Sequence, residues 1–350
     1  MKSLEIDRYH RQVLLPQVGP EGQARLTNAR VLLVGCGALG GVIAEQLVRA
    51  GVGFLRIADR DLVELTNLQR QVLFDEADVR DQTPKAAAAA KRLAKINSSV
   101  TLDARVTDVH AGNIEELAEC GTGRAGIDLM LDGTDNVETR CLLNDVSVKF
   151  SLPWVYGACV GTEGRCLAIC PPETACLRCV FPEPPAPSEL PTCDTAGVLG
   201  SAAAVIASLQ VTAALRILLD TPQSEQTLLA IDMWEGRFRS VSMRDAKRPD
   251  CPTCGKREFQ FLDRKERGRS ASLCGRNAVQ VQSGSEVRLP LLAQKLAPMG
   301  QVQLTPYLLR CVLNEPKNVK LTVFPDGRAI LHGIEDLERA RAIYARFVGS

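Results

Sequence analysis

The sequence predicts an α/β fold built on a doubly wound, mostly parallel sheet, with a small α+β domain behind it. Three observations carry that expectation. A short apolar run, "VLLV" (31–34), opens directly into the glycine pattern Gly35, Gly37, Gly40. Apolar runs then alternate with helix-like stretches, the signature of parallel strands joined by crossover helices. Acids follow the strand-like runs, at the sheet edge where ligands of such folds bind.

The elements follow in order. "VLLV" is uniformly apolar, as a strand covered on both faces requires. A helix runs through "GVIAEQLVRAG", and "GFLRIAD" reads as the second strand, ending at Asp59. "TPKAAAAAKRLAKIN" is a helix by composition, with Pro84 in its first turn. "VTLDARV", "IDLMLDGTDN" and "LPWVYGACV" read as three further strands. The apolar stretch Gly197 to Leu219 is long enough to raise the question of a membrane span. It carries Ser201, Ser208, Gln210, Thr212 and Arg216 and lacks basic flanks, so a helix buried on most sides, inside the fold or at a subunit interface, is expected instead. The charged segment 263–272, "DRKERGRSAS", reads as a linker between a domain over 1–262 and one over 273–350. The latter is expected to be β-α-β-β-α, with "PDGR" as a hairpin turn.

Composition excludes several classes. With 42 basic and 41 acidic residues among 350, the net charge of +1 argues against a protein built mainly to hold nucleic acid. Thirteen scattered cysteines do not form a secreted disulfide framework, and the first residues lack a signal-peptide core. A cytoplasmic protein that neither spans a membrane nor binds nucleic acid is expected.

The glycines permit a tight turn and close approach of backbone to phosphate at a helix N-terminus. Asp59, 59 − 40 = 19 residues past Gly40, is placed to hydrogen-bond a ribose. A nicotinamide oxidoreductase would use both features. It would leave the next stretch, "TNLQRQ" (66–71), without a task. A triphosphate needs more positive charge than the half charge or so of a helix dipole. Arg70 and Lys85 can supply it, with Arg11 upstream, while Asn67 and Gln71 can orient phosphate oxygens. Asp135, just beyond a strand, can hold Mg²⁺ together with phosphate oxygens. ATP is therefore favoured over NAD.

"CLRC" (176–179) and "CPTC" (251–254) are two C-x₂-C knuckles. Four such thiolates suit a closed, structural Zn²⁺ site with Cys176, Cys179, Cys251 and Cys254 as ligands. Cys193 lies in a polar loop ahead of the long apolar helix, where a helix N-terminus favours the thiolate.

Together, "RYHRQVLLP", "GCGALGG", "DRDLVELTNLQRQ", "PKAAAA", "DGTDNVETR" and "CDTAGVLG" closely resemble the MoeB/ThiF family, bacterial relatives of ubiquitin-activating enzymes. The resemblance covers residues 8 to 255. It implies a homodimer that adenylates the C-terminal glycine of a small ubiquitin-like or sulfur-carrier protein ending in Gly-Gly. It further implies that Asp59 binds ribose, that Asn67, Arg70 and Lys85 bind phosphates, and that Asp135 positions Mg²⁺. Arg11 matches an arginine lent by the partner subunit, and Cys193 a thiol that can take up the activated carrier. Such chemistry needs no general base, because a C-terminal carboxyl with a pKa near 3.5 is already ionised at neutral pH. A non-catalytic module on the same fold is the rival reading, and the full set of polar residues counts against it. The tail is too short for the rhodanese domain found in several relatives, and "CGR" (274–276) is a weak echo of a reactive-cysteine loop.

Overall fold

The computed structural model describes residues 3–120, 126–184, 193–221, 225–264, 270–273, 278–282 and 286–349. They fall into two compact units, Met1–Asp263 and Arg264–Ser350.

The first unit is organised by an eight-stranded sheet. Its strands are β1 (Arg30–Val34), β2 (Phe54–Ala58), β3 (Thr101–Arg105), β4 (Leu129–Asp132), β5 (Trp154–Val160), β6 (Glu163–Ile169), β7 (Thr227–Asp232) and β8 (Arg237–Ser242). Their spatial order is β3-β2-β1-β4-β5-β6-β7-β8. The pairs from β3 to β5 are parallel, and β6 to β8 continue antiparallel. The uniformly apolar β1 is buried on both faces: Val31, Leu33 and their neighbours meet one core, Leu32 and Val34 another. The two-residue turn Gly161–Thr162 explains why the sheet changes from parallel to antiparallel after β5. It is too short for a crossover helix, so the chain must return as a hairpin.

Chain order runs outward from β1 in one direction through β2 to β3, and from β4 in the other. The reversal opens a crevice beyond the carboxyl ends of β1 and β4, the usual ligand position in such sheets.

The long apolar helix is Gly200–Leu218. It buries one face, including Ala203, Ile206, Gln210 and Ala214, against the first core. Within this single chain the burial is one-sided. Ser201, Thr212 and Arg216 are exposed and fall on one stripe at helical spacing. By length and composition alone this helix passes as a membrane span; its polar stripe and packed opposite face make it an amphipathic helix of the fold.

The second unit has six strands: β9 (Ser270–Leu273), β10 (Ala278–Gln282), β11 (Gly300–Leu304), β12 (Leu309–Leu313), β13 (Lys320–Val323) and β14 (Arg328–His332). Their order is β11-β12-β13-β14-β10-β9, with every neighbouring pair antiparallel. Helices Leu289–Leu296 and Leu337–Phe347 supply Leu292, Leu296, Ile343 and Phe347 to a core with Val279, Leu321 and Leu331. The stretch 301–313 makes two strands, not one, and the stretch 319–331 makes two around its expected turn. The hydroxyl of Thr305 caps a turn through Tyr307 and Leu308, and "PDGR" closes the other hairpin as expected. The expected linker also ends early, because its last residues begin β9; residues 265–269 and the "CGR" stretch lie outside the described residues.

Candidate active site

The glycine turn joins β1 to the helix Ala38–Ala50. Gly35 has φ +87°, and a Cβ there would sit 2.7 Å from the Gly133 carbonyl. A Cβ on Gly40 would lie 2.0 Å from the Gly35 oxygen. These two glycines let the turn, the helix and the β4 exit pack backbone against backbone. Gly37 differs. A Cβ there would meet only the Gln71 amide, at 3.7 Å, so its missing side chain leaves room in front of the helix N-terminus. The unpaired N–H groups of that first turn are suited to an anion.

Asp59, 8% exposed, follows β2. Its carboxylate accepts from the Cys36 N–H at 2.6 Å and the Asp61 N–H at 2.7 Å, so the acid is fastened to the glycine turn. Burial pushes its pKa up, while the Lys85 charge opposes that. Lys85 opens the helix Lys85–Ile96 and is only 7% exposed. Its Nζ lies 3.1 Å from Asp61. Burial works against its charge, but Asp59 and Asp61 outweigh it and the pKa rises. The ammonium therefore stays charged near Asp59. Sequence reading missed Asp61, whose signal was its place two residues beyond Asp59.

The β4 exit holds a second set. Asp132, the last residue of β4, is fully buried and binds Arg140 Nε at 2.9 Å. It also accepts from the Thr134 N–H and hydroxyl at 2.9 and 2.8 Å. Arg140 donates on to the Thr134 and Gly157 carbonyls. Burial would lower the Arg140 pKa, but Asp132 and its neighbours raise it. This pair, also missed in the sequence, rigidifies the loop whose tip carries Asp135. Asp135 itself is exposed. The next residue, Asn136, caps the helix Val137–Phe150 by accepting from Glu138 and Thr139.

The stretch 64–71 forms one turn of 3₁₀ helix, Leu65–Asn67, and its continuation. Buried Asn67 accepts from the Glu64 N–H, and half-buried Arg70 donates to the Thr66 carbonyl at 2.9 Å. Gln71 is 5% exposed and its Oε1 has no hydrogen-bond partner. A Cβ on Gly200, which opens the long helix, would meet the Arg70 backbone and Cβ at 3.4–3.6 Å.

Of the remaining expected residues, Arg11 is not brought to this crevice within the described chain. Arg11 is exposed in the last turn of the helix Ser3–Val13. That helix is pinned at the other end of Ala38–Ala50: Gln12 donates to the Ala50 carbonyl, and Tyr9 packs where a Cβ on Gly51 would fall. Cys193 begins a short helix, Cys193–Ala196, and its side chain lies outside the described residues. Cys36, inside the glycine turn, is no alternative nucleophile, because burial drives its thiol pKa far up.

The four knuckle cysteines converge. Their Sγ atoms all lie within 4.8 Å of one another, with close pairs at 3.3, 3.6 and 3.9 Å. A tetrahedral zinc with Zn–S bonds of about 2.3 Å requires S···S separations of roughly 3.8 Å, so the donor set fits. Donation from the Cys176 thiol, against burial, holds Cys179 well below the ordinary thiol range, with the Arg248 N–H adding to it. Gln226 clamps the first knuckle by bonding both backbone groups of Ala175. Asp145 ties down the second through Thr253 at 3.3 Å. Four sulfurs leave no open position, which suits a structural ion.

The ThiF family profile matches residues 9–253. The chain is 43% identical over 345 residues to the sulfur carrier protein ThiS adenylyltransferase of Bacillus subtilis, covering 98% of this chain and 99% of that one. It is 41% identical to the sulfur carrier protein adenylyltransferase of Thermus thermophilus, over 72% of this chain and 91% of that one. Among solved structures, E. coli MccB with ATP shares the fold at a TM-score of 0.60 and 22% identity, over 71% of this chain and 74% of that one. With a profile match across most of its length and a full-length relative at 43% identity, this chain belongs to the ThiF family and is an adenylyltransferase.

Proposed function

We propose that the enzyme transfers the adenylyl group of ATP to the C-terminal carboxylate of a small sulfur-carrier or ubiquitin-like protein ending in Gly-Gly. The observation that carries this reading is Lys85: a buried ammonium kept charged by Asp59 and Asp61, beside an acid fastened to the glycine turn. The names of the B. subtilis and T. thermophilus relatives support the carrier class.

In this reading Asp59 takes the ribose hydroxyls, and the turn at Gly35, Gly37 and Gly40 admits the phosphates. Arg70 leaves the Thr66 carbonyl to meet them, with Asn67 and Lys85 alongside. Exposed Asp135, on its rigid loop, would hold Mg²⁺, which neutralises phosphate charge. A carrier carboxylate oxygen forms a bond to the α-phosphorus, and the bond from that phosphorus to the bridging oxygen breaks. Pyrophosphate departs with the electron pair. No proton is moved, so the site needs alignment and positive charge but no base.

Two further parts belong to the reading. The Arg11 helix is anchored at the far end of Ala38–Ala50. A helix of that length spans about 20 Å, more than an arginine side chain reaches. In this reading, as the family resemblance implies, Arg11 serves a partner's site across a two-fold interface, and the enzyme acts as a homodimer. Cys193 would take up the activated carrier after adenylation. The adenylation machinery lies within 1–262, with 273–350 as a separate small domain.

Carrier-dependent ATP–pyrophosphate exchange tests the reading. Asp135→Ala should slow exchange by at least ~10²-fold, the usual effect of losing one charge-stabilising group. Near-normal exchange in that variant would remove Asp135 from the site.

A further inference from the structure

On β12 and β13 the sheet face of the second unit that is turned away from its core carries cations and no acids; on β14 beside them, Arg328 has Asp326 at 3.9 Å. Leu309, Cys311, Leu321 and Val323 point into the core. Alternation along each strand turns Arg310, Lys320 and Thr322 to the opposite face. Thr322 pairs directly with Arg310 across β12 and β13, and Lys320 lies two residues before it on the same face. Opposed side chains in such a pair begin about 5 Å apart and diagonal ones about 7–8 Å apart, within reach of long cations. None of the six strands contains an Asp or Glu.

Among the described residues these three side chains lack acceptors. Arg310 and Lys320 are half-buried, and among the described residues neither has an ion-pair or hydrogen-bond partner. The Arg310 Nε is enclosed and unpaired. Thr322 is 1% exposed, and its hydroxyl has no partner either. A buried donor without an acceptor costs free energy, and two like charges without a counter-ion add to it. Consistent with this, burial lowers the pKa of Arg310, and burial together with the Arg310 charge lowers that of Lys320.

We propose that Arg310, Thr322 and Lys320 form a binding site for a tetrahedral oxyanion of the phosphate class. A planar carboxylate is matched by one arginine fork. Here a fork, a hydroxyl and an ammonium come from three positions on two strands, and four tetrahedral oxygens can meet all of them. The anion, free or as the end of a phosphate ester, supplies both the missing acceptors and the missing charge.

The test is NMR on the full chain, following amide signals of residues 310–312 and 320–322. These report this face separately from the nucleotide crevice. Inorganic phosphate, pyrophosphate and ribose 5-phosphate are titrated at constant ionic strength made up with chloride. Saturable shifts are expected at these residues. Tighter binding of an inorganic anion would assign a free ligand, and tighter binding of the sugar phosphate an ester; either supports the site. Arg310→Met should weaken binding at least ~10-fold, as loss of a charge-assisted hydrogen bond does. Thr322→Val should also weaken it while leaving the thermal midpoint unchanged or raised, since the hydroxyl has no partner to lose. Shifts that fail to saturate with every anion, or that chloride reproduces, overturn the proposal. So does wild-type affinity in Arg310→Met.

Discussion

Arg140 and Arg310 are both withdrawn from solvent beside a sheet, yet they stand in opposite electrostatic company. Arg140 meets the fully buried Asp132 at 2.9 Å, and the carbonyls of Thr134 and Gly157 take its other donors. Arg310 meets no carboxylate among the described residues, and its charge acts instead against that of Lys320. The same contrast separates Lys85 and Arg56, each paired with acids, from Arg310 and Lys320; Arg328 of the second sheet, beside Asp326, belongs with the paired ones. A cation with an internal partner holds a loop in place. A cation without one is a group whose counter-ion comes from outside.

The thiol cluster is the mirror image of the second case, and it should give the largest effect. Four sulfurs that bind metal as thiolates need a cation, as Arg310 and Lys320 need an anion. Freshly purified protein should contain one Zn²⁺ per chain. Stripping it should destabilise the first unit by several kcal/mol, because structural zinc binding is folding free energy. Metal analysis without zinc would remove this half of the contrast.

Next comes the paired arginine. Asp132→Ala leaves Arg140 buried and alone, which should cost roughly 3–5 kcal/mol in urea unfolding. Arg310→Met should cost nothing measurable or stabilise slightly. Equal losses in both variants would show that Arg310 has a hidden internal partner and would dissolve the comparison.

Legibility in the sequence follows the same division. The glycine turn, Asp59 and the knuckles could be read because backbone approach and metal geometry demand fixed residue types at fixed spacings. Asp132 and Arg140 could not, although both lie in a motif that was recognised. Their pairing depends on a loop folding back over eight residues, and nothing local distinguishes a buried acid from the exposed Asp135 three residues later. The split of β11 from β12 was missed because Thr305–Leu308 is a turn without glycine, set by a threonine hydroxyl. The cationic face there was invisible for another reason. Its residues are scattered over two strands and converge only through register.

The smallest effect concerns Asp145, which sharpens the rule for acids. It is fully buried without a cation bonded to it, and instead accepts from the Phe261 and Leu262 N–H groups and the Thr253 hydroxyl. Burial pushes its pKa from 3.8 up to about 6, the donors only partly opposing. The sign follows directly. Below about pH 4 the carboxyl is protonated whether folded or not; as pH rises towards about 6, the unfolded chain releases its proton first. Stability from this group is therefore lost across that window and stays lost above it, by up to about 3 kcal/mol. Asp145→Asn carries no charge, yet it can keep all three bonds. Both N–H donors use the same Asp145 oxygen, which the amide oxygen replaces, and the new NH₂ can donate to Thr253 once that hydroxyl turns. Urea unfolding of the two proteins from about pH 4 to about pH 7 should show the variant gaining on wild type as pH rises. The difference between them cancels the pH dependence of the neighbouring zinc site. A gap that does not change with pH would return Asp145 to an ordinary carboxylate. A variant weaker throughout would show that the charge itself, held by N–H donors alone, stabilises the knuckle.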